Sequence, residues 1–240
     1  MAPGKQERFA FISLSWWFMS RVLLERTKRE SFFEVLERLL PEAMPKRYGL
    51  YEPPSHVYAK TGKEHLHQFM DENEHDSIVW YPHRPVTSVN LQCPKPLGAG
   101  PNGFRSNLIE IYVEAAALSQ PGWSAHLQQF WRQMSSLLRP IYGDVRTIHG
   151  VTRHGGVAYF SAEDVGRMFR ERTRSWFWRG IPKCLGHAVV LGDDYQRLWP
   201  DFVAKSEVAN GLAFASLPEW SSPEDLASLV GPTPENLALE

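Results

Sequence analysis

A chain of 240 residues with 43% hydrophobic and 22% charged residues can bury roughly 70–75% of its unfolded surface without covalent staples, and its composition excludes a disordered or fibrous protein. Lys plus Arg (26) balance Asp plus Glu (27), leaving a formal net charge of −1; no global field draws in a nucleic acid or an anionic membrane, so neither is an expected partner. Only Cys93 and Cys184 are present, too few for a disulfide-stabilised secreted protein of this size, and both read as buried, reduced thiols.

Nine Trp, eight Tyr and thirteen Phe supply large rings that serve equally as core filling or as interface anchors. The first element is the apolar stretch 9–24. It is too short to cross a bilayer, and Glu25, Arg26, Thr27, Lys28 and Arg29 follow where a signal peptide would need a small-residue cleavage site. It therefore reads as a buried strand over 8–16 running into a helix, in a cytoplasmic protein. Ser31-Phe32-Phe33-Glu34 fits a capping box, with Phe32, Val35, Leu36, Leu39 and Leu40 at helical spacing up to Pro41. Thr61-Gly62-Lys63-Glu64 repeats the device ahead of Leu66, Phe69 and Met70, and prolines mark an extended connector between the two helices.

Residues 71–76 form an acidic turn. Strands are expected over 78–81, 86–91 and 107–113, an antiparallel meander whose last loop is rich in Gly and Pro. A helix over 123–138 ends before Pro140 and carries Leu127, Phe130, Trp131, Met134 and Leu138 on one face. Strands at 145–151, 157–160, 188–191 and 212–217 then mix with helices at 162–170 and 194–199, and with a last helix opened by Ser222-Pro223-Glu224-Asp225. Without regular βαβ alternation, the class is α+β: a mainly antiparallel sheet with helices packed on it. No repeat or long linker divides the chain, so residues 1–240 read as a single domain, built as one unit or as two α+β halves, with ends prone to disorder at about 1–7 and 232–240. Tyr48, Tyr142, Trp178 and Trp199 each sit by a turn glycine or proline and read as rings that lock loops onto the sheet.

No motif carries chemistry convincingly. Gly98-Ala99-Gly100-Pro101-Asn102-Gly103 matches G-x-G-x-x-G, but prolines precede it and a strand follows, so it reads as a hairpin loop rather than a dinucleotide cradle. His65 and His67 stand two apart, which on a helix points them in different directions; with His75, Glu72 and Asp76 nearby they read as solvated side chains and not as a metal site. Cys184 and His187 lie three apart, a proximity that is no catalytic dyad by itself. No cofactor is expected, and the protein reads as a binder, not an enzyme. Arg167, Arg170, Arg172, Arg174 and Arg179 surround Phe169, Trp176, Phe177 and Trp178. That cluster has three readings, in falling order: a solvated helix end beside a core anchor, a protein-binding surface, and a nucleic-acid site.

Three stretches are familiar together: Pro45-Lys46-Arg47-Tyr48-Gly49-Leu50-Tyr51-Glu52-Pro53-Pro54; Tyr142-Gly143-Asp144-Val145-Arg146-Thr147; and Trp176-Phe177-Trp178-Arg179-Gly180-Ile181-Pro182 with Leu191-Gly192-Asp193-Asp194-Tyr195-Gln196-Arg197-Leu198-Trp199-Pro200. Over roughly residues 9–220 the chain resembles the large α+β immunity proteins that bacteria encode beside polymorphic toxins, including type VI secretion effectors. The resemblance implies a cytoplasmic protein that binds a cognate toxin, in some cases a nuclease, and covers its active site or blocks its assembly. On that view Asp71, Glu72, Glu74 and Asp76, or Asp193 and Asp194, would imitate phosphate, with Trp176 and Trp178 as the aromatic alternative. The other readings are a different protein-binding regulatory module and an enzyme whose site is invisible in the sequence.

Overall fold

In the computed structural model, which describes residues 8–19, 23, 25–73, 77–92, 107–154, 157–160 and 180–238, the first strand is the centre of the sheet. β1 (Arg8–Phe18) alternates Ile12, Leu14, Trp16 and Phe18 on one face with Phe11, Ser13, Ser15 and Trp17 on the other, all of them buried. A strand covered on both faces needs neighbours on both edges. β6 (Asn107–Glu114) and β7 (Tyr142–His154) supply them, each antiparallel to β1, with Trp16 opposite Ile109 and Gly143. Gly143 is required there, because a Cβ would press on Val190, the Ser15 carbonyl and Trp16 at 2.9–3.0 Å.

The sheet grows outward from this centre. On one side β6 pairs with β5 (Val86–Gln92), β5 with β4 (Ser77–Tyr81), and β4 with β2 (Arg47–Gly49), which ends at β3 (His56–Val57). On the other, β7 pairs with β8 (Val157–Phe160) and with β9 (Ala188–Leu191), followed by β11 (Leu212–Ser216) and β10 (Glu207–Ala209). All ten ladders are antiparallel, which gives the α+β class and the 78–113 meander as expected from sequence. The three-residue strands β2 and β10 and the two-residue β3, at the two ends of the sheet, are too short for any periodicity to announce.

Helices α1 (Arg26–Leu39) and α3 (Trp123–Leu138) cover the Trp16 face, with Phe32, Phe33, Leu36, Phe130, Trp131 and Met134 buried in one core. The Trp16 indole N–H donates to Ser135 Oγ at 2.8 Å, so even the ring's polar edge is used. The α3 boundaries and inward face match the sequence expectation. The caps do not. α1 begins five residues before Ser31, with Glu25 at its N-cap and no side-chain cap bond. α2 (Tyr58–Glu72) breaks at Gly62 (φ 78°), and Thr61 Oγ1 donates to the Val57 carbonyl instead of capping residue 64. A capping box is a four-residue pattern that recurs inside helices, and only the position of the preceding chain decides where a helix starts.

Toward the C-terminus, α4 (Asp193–Leu198) and α5 (Pro200–Ala204) place Trp199 and Phe202 in a second core on the opposite face, with Trp17, Tyr142 and Leu191. Tyr48 and Tyr142 are fully buried and Trp199 is nearly so, matching their role as ring locks; Trp178 lies outside the described residues. The helix expected from Ser222 is confined to α6 (Ala227–Val230), because the Asp225 carboxylate is drawn into contacts described below. The stretch 232–238 is held by Ile181 N–H donating to the Leu237 carbonyl at 2.8 Å. The expected helix over 162–170, the 98–103 loop and residues 1–7 lie outside the described residues.

Candidate functional site

The sequence candidates that the structure describes lie on two different helices, α2 and α4. Asp71 closes α2 and pairs with Arg29, whose side chain is only 3% exposed and which also donates to the His67 carbonyl at 3.0 Å. Asp71 and Glu72 are exposed as expected, in the last turn of α2, and one carboxylate oxygen of Asp71 is in addition committed to a buried guanidinium. Glu72 accepts from Gln68 at 2.8 Å, while Glu74 and Asp76 lie outside the described residues. Asp193 and Asp194 are exposed in the first turn of α4, where the helix dipole favours acids, and Asp194 pairs with exposed Arg197. Trp176 and Trp178, with the surrounding arginines up to Arg179, lie outside the described residues.

The histidines diverge as helical spacing requires, yet they are not simply solvated. His65 Nδ1 lies 2.6 Å from the Tyr48 hydroxyl, whereas His67 turns inward, 1% exposed, with its ring edge-on to Phe33. Burial first, then the positive charges of Arg26 and Arg29, pushes the His67 pKa down. Among the described residues no group of three or more His, Cys, Asp or Glu is placed to hold a metal ion, and no helix is long and apolar enough to cross a membrane.

What the sequence did bring together is the neighbourhood of Cys184 and His187, although not as a dyad. A cavity of about 520 Å³ opens beside the middle of β7, walled by Ile12, Leu118, Thr147, His187, Trp220 and Asp225 among others. Cys184 is exposed, against the expectation of a buried thiol, and donates to Asp225 Oδ2 at 2.7 Å. Asp225 also accepts the amides of Gly186 (3.0 Å) and Leu185 (3.3 Å), and that of Ala227 at 2.8 Å. Gly186 is needed for the close approach: its φ is 74°, and a Cβ would strike the Val145 carbonyl.

These contacts set the protonation states. Although Cys184 reaches solvent, partial desolvation of its sulfur by the surrounding chain, then the Asp225 hydrogen bond, raises its pKa, which favours the protonated thiol, the reverse of what a nucleophile needs. Burial works to raise Asp225 as well, but the thiol and three amides outweigh it and keep this carboxyl below its ordinary value. His187 is 5% exposed, burial lowers its pKa, and its Nε2 lies 2.7 Å from Thr147 Oγ1. Its Nδ1 is buried with no hydrogen-bond partner among the described residues. Arg146 donates to Asp144 at 2.6 Å and to the Cys184 carbonyl at 3.0 Å. The sequence reading noticed Asp225 only as a helix opener and Thr147 only within the 142–147 stretch; each lies about forty residues from its partner here, and no local pattern links them.

No protein-family model and no curated protein matches the sequence. The fold is similar to that of a solved structure, the Pseudomonas aeruginosa T6SS protein PA0821, with a TM-score of 0.59 and 14% identity, over 91% of this chain and 74% of that one. At that identity the likeness is one of fold.

Proposed function

We propose that this protein is a cytoplasmic immunity protein that binds a cognate secreted toxin and neutralises it by covering the toxin's active site. The observation that carries the reading is the shared fold with a Pseudomonas T6SS protein across nine-tenths of the chain. It agrees in direction with the resemblance of the 45–54, 142–147 and 176–200 stretches to immunity proteins of such systems. The chemistry of the cavity fits a binder better than a catalyst: Cys184 is a donor to Asp225, and the His187 imidazole is engaged with Thr147 instead of the thiol. Among the described acidic candidates, Asp193, exposed beside the Asp194–Arg197 pair, is the best placed to meet a positively charged active site.

The test is co-expression with the product of the neighbouring gene, read as growth, together with pull-down of that product by the purified protein. Rescue of growth and a stoichiometric complex are expected. A folded protein that neither rescues nor binds overturns the proposal.

A further inference from the structure

The outermost strand β3 runs straight into α2, and an aromatic cluster fills the angle between them. His56 lies on β3 and His65 on α2; both are half-buried, and their ring centroids stand 5.2 Å apart with planes tilted by 45°. His56 is stacked on Tyr48 (5.2 Å, 20°) and packs against Phe69 (4.9 Å). A one-way relay fixes the tautomer of His65. The Val57 carbonyl can only accept, so the Thr61 hydroxyl gives its single proton there, at 3.3 Å. Thr61 Oγ1 must then accept from the Tyr48 hydroxyl at 2.9 Å, which leaves the Tyr48 oxygen to accept from His65 Nδ1–H at 2.6 Å. The other nitrogen of the neutral ring, Nε2, therefore carries a bare lone pair.

A ring held by a hydrogen bond at one nitrogen, with the lone pair of the other on offer, is how proteins orient histidine toward a metal. Two imidazoles on one tetrahedral zinc, each bonded at about 2.0–2.1 Å, hold their centroids about 5 Å apart, and His56 and His65 stand at that spacing. Imidazole favours zinc, nickel and copper over the hard cations magnesium and calcium. We propose that His56 and His65 form a two-imidazole site for a divalent transition-metal ion of the zinc class, which staples β3 to α2. Because the described residues bring no third His, Cys, Asp or Glu to such a group, water completes the coordination, and the ion is held less tightly than by the three or four protein ligands of most zinc sites.

Zinc chloride titrated into the tag-free protein, followed by calorimetry and by thermal unfolding, tests the proposal without any partner. A saturable site should appear with a rise in Tm, EDTA should reverse the rise, and magnesium should leave Tm unchanged. His56→Phe keeps the ring packing and removes both nitrogens; it and His65→Gln should each weaken zinc binding by at least about tenfold, as should Tyr48→Phe, which removes the acceptor for Nδ1–H but no ligand. Copper(II), which is paramagnetic, should broaden the amide signals of Val57 and His65 before those of the exposed His83 and His149. No saturable zinc binding, a smaller loss in either histidine variant, or broadening that begins at His83 or His149 would each overturn the site. Undiminished affinity in Tyr48→Phe would overturn the relay and with it the assignment of Nε2 as the ligand.

Discussion

Two places in the molecule use the same chemistry under different burial. At the α1–α2 contact, Arg29 donates to the His67 carbonyl and to Asp71, with the buried His67 imidazole alongside. Beside β7, Arg146 donates to the Cys184 carbonyl and to Asp144, with the buried His187 imidazole close by. The difference lies in the carboxylate: the Asp71 side chain is 54% exposed, whereas that of Asp144 is fully buried. Water can substitute for part of the first pair and for none of the second. A buried pair gives little net stability for its desolvation, but removing one member leaves an uncompensated charge, and that cost scales with burial.

The largest expected effect is therefore at Asp144. Asp144→Asn should destabilise the protein by about 3 kcal/mol, because it strips Arg146 of its counter-charge inside the sheet and weakens the Tyr142 hydroxyl's bond to residue 144. Asp71→Asn should cost less, about 1–2 kcal/mol, since solvent reaches that side of the Arg29 pair. Urea unfolding of the two variants measures both; equal losses would break the comparison.

A smaller, signed effect follows from the histidines. Both His67 and His187 have folded-state pKa values lowered by burial. The unfolded chain binds more protons than the folded one as pH falls below about 6.5, so the stability each neutral ring contributes is full above that pH and is lost as pH drops toward the depressed folded value. Stability measured from pH 7.5 to 5 should fall for wild type, and His67→Gln or His187→Gln should each flatten the decline. A steeper decline in either variant would contradict the burial argument. The smallest effect is expected from Asp193→Asn with Asp194→Asn: stability within about 0.5 kcal/mol, because these side chains are exposed. On the proposed immunity reading, toxin association should slow at low salt, measured as an on-rate at two salt concentrations.

Legibility tracked the range of the interaction. The α3 helix and the strands expected at 78–81, 107–113 and 188–191 stood out because hydrophobic spacing within one element reports which face is buried. Asp71 was legible as surface because its neighbours in the chain are polar, but only the fold brings Arg29 to it from 42 residues away. Cys184 and His187 were noticed as neighbours, but their actual partners, Asp225 and Thr147, are 41 and 40 residues distant.

The sequence by itself determined the α+β class, the central buried strand, the meander and the inward face of the long helix, since each rests on periodicity and turn chemistry that act over a few residues. The tertiary structure alone decided where α1 starts, that the short strands β2, β3 and β10 extend the sheet, which carboxylates are committed to buried arginines, and that a cavity opens beside β7. Those outcomes depend on contacts between residues far apart in the chain, whose energies come from the desolvation and pairing that folding imposes and not from the identity of their neighbours in sequence.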